Sequence, residues 1–174
     1  MKKITLLCLF MLPLIGFSQA VNERIQNYLN IHHSEFGLTE QDITGWIIES
    51  QANSKGTKID NYYIKQRHNG IEIFNAITNV WVKNGEILNI GNRFVPNAAG
   101  KANSIVPAIS VTEGLSSAFS AVGQSSSNFQ VIESSSPRNF TISNGTLTED
   151  PVTAELVYQL ASDGSLKLAW DYMF

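Results

Sequence analysis

The chain has 174 residues, a formal net charge of −3, 43% hydrophobic residues and 16% charged residues. That composition is too apolar for a disordered chain and too interrupted for a helical membrane protein, and a chain of this length can bury a core without a metal or disulfide staple. An acidic balance without a basic patch argues against nucleic acid held through its phosphates.

Met1-Lys2-Lys3 is a short cationic start, residues 4–17 are almost wholly apolar, and Ser18-Gln19-Ala20 sets small residues around a cleavage point. This three-part pattern predicts a signal peptide over residues 1–20, cleaved from a secreted or periplasmic product. Its apolar run is too short for a stable span, and no later segment predicts one. Cys8 is the only cysteine and lies in the leader. The mature chain is therefore expected to form no disulfide, thiolate zinc site or cysteine nucleophile.

Val21, Ile25, Tyr28, Leu29 and Phe36 recur at roughly helical spacing, and Gly37 is a good stop. Thr39-Glu40-Gln41-Asp42 reads as a capped short turn, residues 46–50 as a strand, and Asn53-Ser54-Lys55-Gly56 as a polar turn. The clearest block spans residues 61–94. Tyr62, Ile64 and Gln66 alternate with Tyr63, Lys65 and Arg67. Asn69-Gly70 marks a hairpin, because both residues tolerate positive φ. Ile71, Ile73, Asn75 and Ile77 then alternate with Glu72, Phe74 and Ala76, and Asn84-Gly85 marks a second hairpin. Three strands joined by tight turns pair as an antiparallel meander.

Residues 97–109, rich in Pro, Ala, Gly, Asn and Ser, predict a linker. Ser110 or Thr112 caps a helix whose stripe is Val111, Leu115, Ala118, Phe119 and Val122, and Gly123 ends it. Strands follow at residues 129–133, 139–143, 154–161 and 166–172, with turns at Asn144-Gly145 and Asp163-Gly164. Leu156, Tyr158 and Leu160 face Leu166, Leu168 and Trp170 across the last turn. Trp81 and Trp170 lie on strands and are expected in the core. The fold class is α+β: antiparallel meander sheets each packed with a helix, in two small subdomains over residues 21–96 and 110–174.

Catalytic chemistry is sparse. His32 and His33 are adjacent on a helix and point apart, which makes a poor metal pair. His68 precedes a hairpin turn and reads as a turn residue. The chain has no H-E-x-x-H, no G-x-S-x-G and no phosphate-binding glycine loop. Glu149-Asp150 reads as a solvated turn. Asn139-Phe140-Thr141 and Asn144-Gly145-Thr146 are N-glycosylation sequons, which matter only in a eukaryotic secretory route. The expectation is a non-enzyme without a cofactor.

Several segments together resemble the fungalysin/thermolysin propeptide family. They are Gly37-Leu38-Thr39 with Asp42, Asn61-Tyr62-Tyr63-Ile64-Lys65-Gln66-Arg67-His68-Asn69-Gly70-Ile71-Glu72-Ile73-Phe74-Asn75, Lys83-Asn84-Gly85-Glu86-Ile87 and Gly91-Asn92-Arg93-Phe94-Val95. Asn61 stands where the family often has histidine. Ala154-Glu155-Leu156-Val157-Tyr158 with Leu168-Ala169-Trp170 is similar to the segment closing fungalysin propeptides. The resemblance implies a propeptide-like subdomain followed by a PepSY- or cystatin-like one. It implies a folding assistant and inhibitor of a secreted zinc metallopeptidase, joined in cis or met in trans, with zinc only in the peptidase. Gln66, Arg67, Asn69 and Gly70 become candidate peptidase contacts. Tyr63, Ile71, Phe74, Gly85, Tyr158 and Trp170 match the pattern as structural positions. The family continues past the equivalent of Phe174, so the second subdomain is expected to be cut short, with residues 166–172 left as an apolar edge. The alternative is a stand-alone secreted binding or protease-inhibitor module.

Overall fold

A computed structural model describes residues 12–124, 128–143 and 147–174. The first eleven residues of the expected leader and the Asn144-Gly145-Thr146 turn and sequon lie outside the described residues. The fold is α+β, with a few helices and a mixed sheet of eight strands. The chain divides into two compact units, one formed by Met1–Arg67 with Asn75–Asn97, the other by His68–Phe74 with Ala98–Phe174.

In the first unit, helix α1 (Leu12–His32) runs without a break past the expected cleavage point and buries Ile25 and Leu29. A short 3-10 turn (His33–Phe36) ends at Gly37, whose φ of 70° needs no Cβ to be avoided. A second (Glu40–Ile43) opens with a reciprocal cap: Thr39 accepts from the Asp42 amide, and the Asp42 carboxylate accepts from the Thr39 amide. Strand β1 (Ile47–Ser54) pairs antiparallel with β2 (Ile59–His68), with a bulge between Ile48 and Ser50. β3 (Ile71–Lys83) pairs antiparallel with β4 (Glu86–Gly91). Tyr62 and Ile64 from β2, Val80 and Val82 from β3, and Ile90 from β4 meet Ile25 and Leu29 of α1 in one core. Sheet and helix thus bury each other's apolar face, the dominant stabilising contribution in such a fold.

One strand departs from the expected alternation. Ile71 and Ile73 are buried as expected, but Phe74 and Asn75 are both exposed, and Ala76, Thr78, Val80 and Val82 are then buried. Asn75 has a φ of 61°. A residue in that region breaks the two-residue repeat, so every later side chain changes face. Ile77 therefore does not share the buried face, and Trp81, expected in the core, is 36% exposed.

In the second unit, β7 (Val152–Leu160) is flanked by β8 (Leu166–Met173) along its whole length, and by β6 (Asn139–Ile142) at its start, all antiparallel. β5 (Val131–Ser136) pairs irregularly with β6. The hairpin register is the expected one, with Leu156 opposite Trp170, Tyr158 opposite Leu168 and Leu160 opposite Leu166. The expectation of purely antiparallel sheets is corrected: Glu72 and Ile73 pair with Val157 and Tyr158 in parallel. The connection between them carries two helices and several strands, long enough for the crossover that parallel pairing requires.

Helix α3 (Val111–Ala121) starts at Ser110, which shares a reciprocal cap with Glu113. It packs Val111 and Leu115 against Ile142, Val152 and Ala154. The segment expected as a linker contains helix α2 (Ala98–Lys101) and is fastened to the sheet. Ala102 bridges Leu166, the Asn103 amide donates to the Leu166 carbonyl at 3.0 Å, and the Leu168 amide donates to Asn103 Oδ1 at 2.9 Å.

Candidate functional site

The four expected contact residues are neighbours in sequence but occupy different environments. Gln66 is fully buried in the first unit. Its Nε2 donates to the carbonyls of Asp42 at 3.2 Å and Val95 at 3.0 Å, and its Oε1 accepts from the Val95 amide at 2.6 Å. The side chain thus pairs with the backbone of residue 95 as another strand would. In this structure the Gln66 side chain is spent on three internal bonds at zero exposure. Its place on one face with Tyr62 and Ile64 is the sequence signal for this role.

Asp42 completes the same network. Its carboxylate accepts from the Thr39 amide and hydroxyl and from the Asn97 amide, each at 2.8 Å. Three donors converge on one buried carboxylate, which holds residues 39, 42 and 97 together. Arg67 is half-buried, and its Nε has no bond partner among the described residues. Gly45 lies against the Arg67 carbonyl, where an added Cβ would sit 2.8 Å from the oxygen.

Asn69 and Gly70 form the exposed hairpin tip in the second unit, with φ of 50° and 73°. Two successive positive φ values give the tight turn whose twist matches its strands. Arg138 Nη2 donates to the Asn69 carbonyl at 3.0 Å. His68 is 9% exposed, its ring 5.8 Å from that of Tyr158, and its Nε2 lies 3.0 Å from Asn69 Nδ2. Phe74 is 40% exposed and Ile71 is buried.

The remaining pattern residues mostly hold the fold. Tyr63 is half-buried on β2. The Gly85 carbonyl, in a turn with φ of 82°, accepts from Arg24 Nη1. Tyr158 is fully buried, and its hydroxyl donates to the Ser104 carbonyl at 2.7 Å. Burial raises its pKa above the usual 10.0, against the opposing pull of Arg138. Trp170 is half-buried, donates Nε1–H to the Ile109 carbonyl at 3.1 Å, and meets Phe140 edge-on. Tyr172 donates its hydroxyl to the Val111 carbonyl at 2.7 Å, and burial pushes its pKa up to about 12.

His32 and His33 make local bonds, to Glu35 Oε1 at 2.9 Å and the Asn30 carbonyl at 3.0 Å respectively. Among the described residues no group of three or more His, Cys, Asp or Glu could hold a metal, and no helix is long and apolar enough to cross a membrane. No protein-family model matches the chain, and no curated protein matches it.

Proposed function

We propose that this chain is a propeptide-type folding assistant and inhibitor for a secreted fungalysin-like zinc metallopeptidase, acting in cis or in trans and carrying no catalytic step of its own. The reading takes residues 21–96 as the propeptide-like subdomain and residues 110–174 as the PepSY-like one, exported behind residues 1–20. The observation that carries it is the motif running from Tyr62 through Gln66 and Asn69-Gly70 to Phe74. Within that motif the inward residues bond and pack, while Asn69, Gly70 and Phe74 remain exposed. A preformed hairpin tip loses little entropy on docking, which favours such a contact.

The mechanism needs only binding. A folded partner that binds the native peptidase and not its unfolded chain stabilises it by mass action, and a covalent link raises the effective concentration. Inhibition follows where the bound hairpin denies substrate access to the cleft. The test adds the purified chain to a mature fungalysin-type peptidase, native and during refolding from denaturant. Slow, saturable inhibition and a raised refolding yield are expected. Unchanged activity and yield in excess chain would overturn the reading.

A further inference from the structure

Strand β8 pairs with β7 on one side only, and among the described residues no strand pairs along its other edge. Its hydrogen-bonding phase can be worked out. The Ala161 amide donates to the Ser165 carbonyl at the turn, so the residues of β8 whose groups point at β7 are Lys167, Ala169, Asp171 and Met173. The alternate residues point outward. Leu166 and Leu168 do so and are met by Asn103. Trp170 and Tyr172 continue the series beyond Asn103, each turning an amide and a carbonyl outward.

Two further features flank that stretch of edge. On the α3 side lies an apolar groove of about 480 Å³, lined by Pro107, Ile109, Gly114, Ala118, Trp170 and Tyr172. Gly114 is required there, since a Cβ would run into the Tyr172 hydroxyl. On the opposite side of the sheet, Asp171 stands directly across from Glu155 in the β7–β8 ladder. Like charges paired across strands repel, and a cation beside them relieves the repulsion.

We propose that the Trp170–Tyr172 edge binds an extended segment of a partner protein in which a lysine or arginine sits between two apolar residues. Strand addition supplies the main-chain bonds, and alternation supplies the specificity. The residues in step with Trp170 and Tyr172 turn their side chains into the groove. The residue between them turns to the other face, beside Asp171 and Glu155. The chain's own Leu166-Lys167-Leu168 has this apolar–basic–apolar pattern. A second copy cannot supply it, because Ala102 and Asn103 already occupy that edge. The proposed occupant is a different protein. The inference is independent of the metallopeptidase reading and needs no peptidase.

The test uses the full chain and two cyclic β-hairpin peptides, one with a valine-lysine-valine strand and one with valine-glutamate-valine, each titrated to about 1 mM. Fluorescence anisotropy reads affinity, and amide hydrogen exchange reads protection at Trp170 and Tyr172. The lysine hairpin should bind about tenfold tighter than the glutamate one and protect both amides. Added salt should weaken its binding to the native chain, a readout that needs no variant. Asp171→Lys should reverse the preference. Equal affinities, salt-independent binding, or no protection at either amide would overturn the proposal. So would a reversible dimer of the chain that buries the same edge without peptide.

Discussion

Gln66 and Asn75 show two ways in which one residue directs a strand. The amide of Gln66 closes the backbone of residues 42 and 95 onto β2. Replacing it leaves buried donors and acceptors without partners, each a substantial penalty. Gln66→Leu is expected to destabilise the chain by about 3 kcal/mol, read from the urea midpoint at unchanged slope. A loss below about 0.5 kcal/mol would show that the backbone groups find other partners. Asn75 acts through its backbone, at a φ of 61°. Glycine tolerates that region and β-branched residues do not. Asn75→Val should cost about 2 kcal/mol in the same measurement, and Asn75→Gly much less. The alternation around Gln66 was legible in the sequence. The break at Asn75 was not, because asparagine is common in extended strands and in turns alike.

At the scale of elements, short-range chemistry was the most legible. The Thr39 and Ser110 caps, the Gly37 stop, and the Asn69-Gly70 and Asp163-Gly164 turns all depend on groups within a few residues of one another. Ser110→Ala removes the acceptor for the Glu113 amide and should cost about 1 kcal/mol, seen as faster hydrogen exchange in the first turn of α3. Hydrogen bonds from the Ser110 side chain and from its amide pull the Glu113 carboxyl below its usual pKa, and the variant should lose the side-chain part of that shift while keeping the part due to the amide. The β7–β8 hairpin carries a flaw of the same short range, the pairing of Glu155 with Asp171. Asp171→Lys turns a repulsion into an attraction and should raise stability by about 0.5 kcal/mol. A fall in stability would mean that the aspartate makes a favourable contact. Long-range pairing was not legible. The parallel alignment of Glu72 and Ile73 with β7 joins segments far apart in sequence, and no local pattern marks it.

For the molecule as a whole, pH is an informative probe. Burial raises the pKa of Tyr62, Tyr158 and Tyr172, the last to about 12. A phenol with a raised pKa keeps its proton in the folded state while the unfolded chain ionises near pH 10. Its stabilising contribution is therefore complete below pH 10 and is lost as pH rises from about 10 to 12. The urea midpoint should fall through that window, and Tyr172→Phe should flatten the fall; an equal slope in the variant would place the proton linkage elsewhere. The sequence alone determined the α+β class, the order of the elements and the caps and turns between them, because each follows from composition, a repeat of two or of about 3.6, or a contact a few residues away. Only the tertiary structure decided that Gln66 faces inward to residues 42 and 95, that the buried residues of β3 pass at Asn75 from the odd-numbered to the even-numbered ones, and that the outer edge of β8 is engaged at Leu166 and Leu168 while no strand among the described residues pairs at Trp170 and Tyr172. Those outcomes depend on which distant backbone groups meet, and hydrogen bonding between distant segments leaves no periodic mark in the chain.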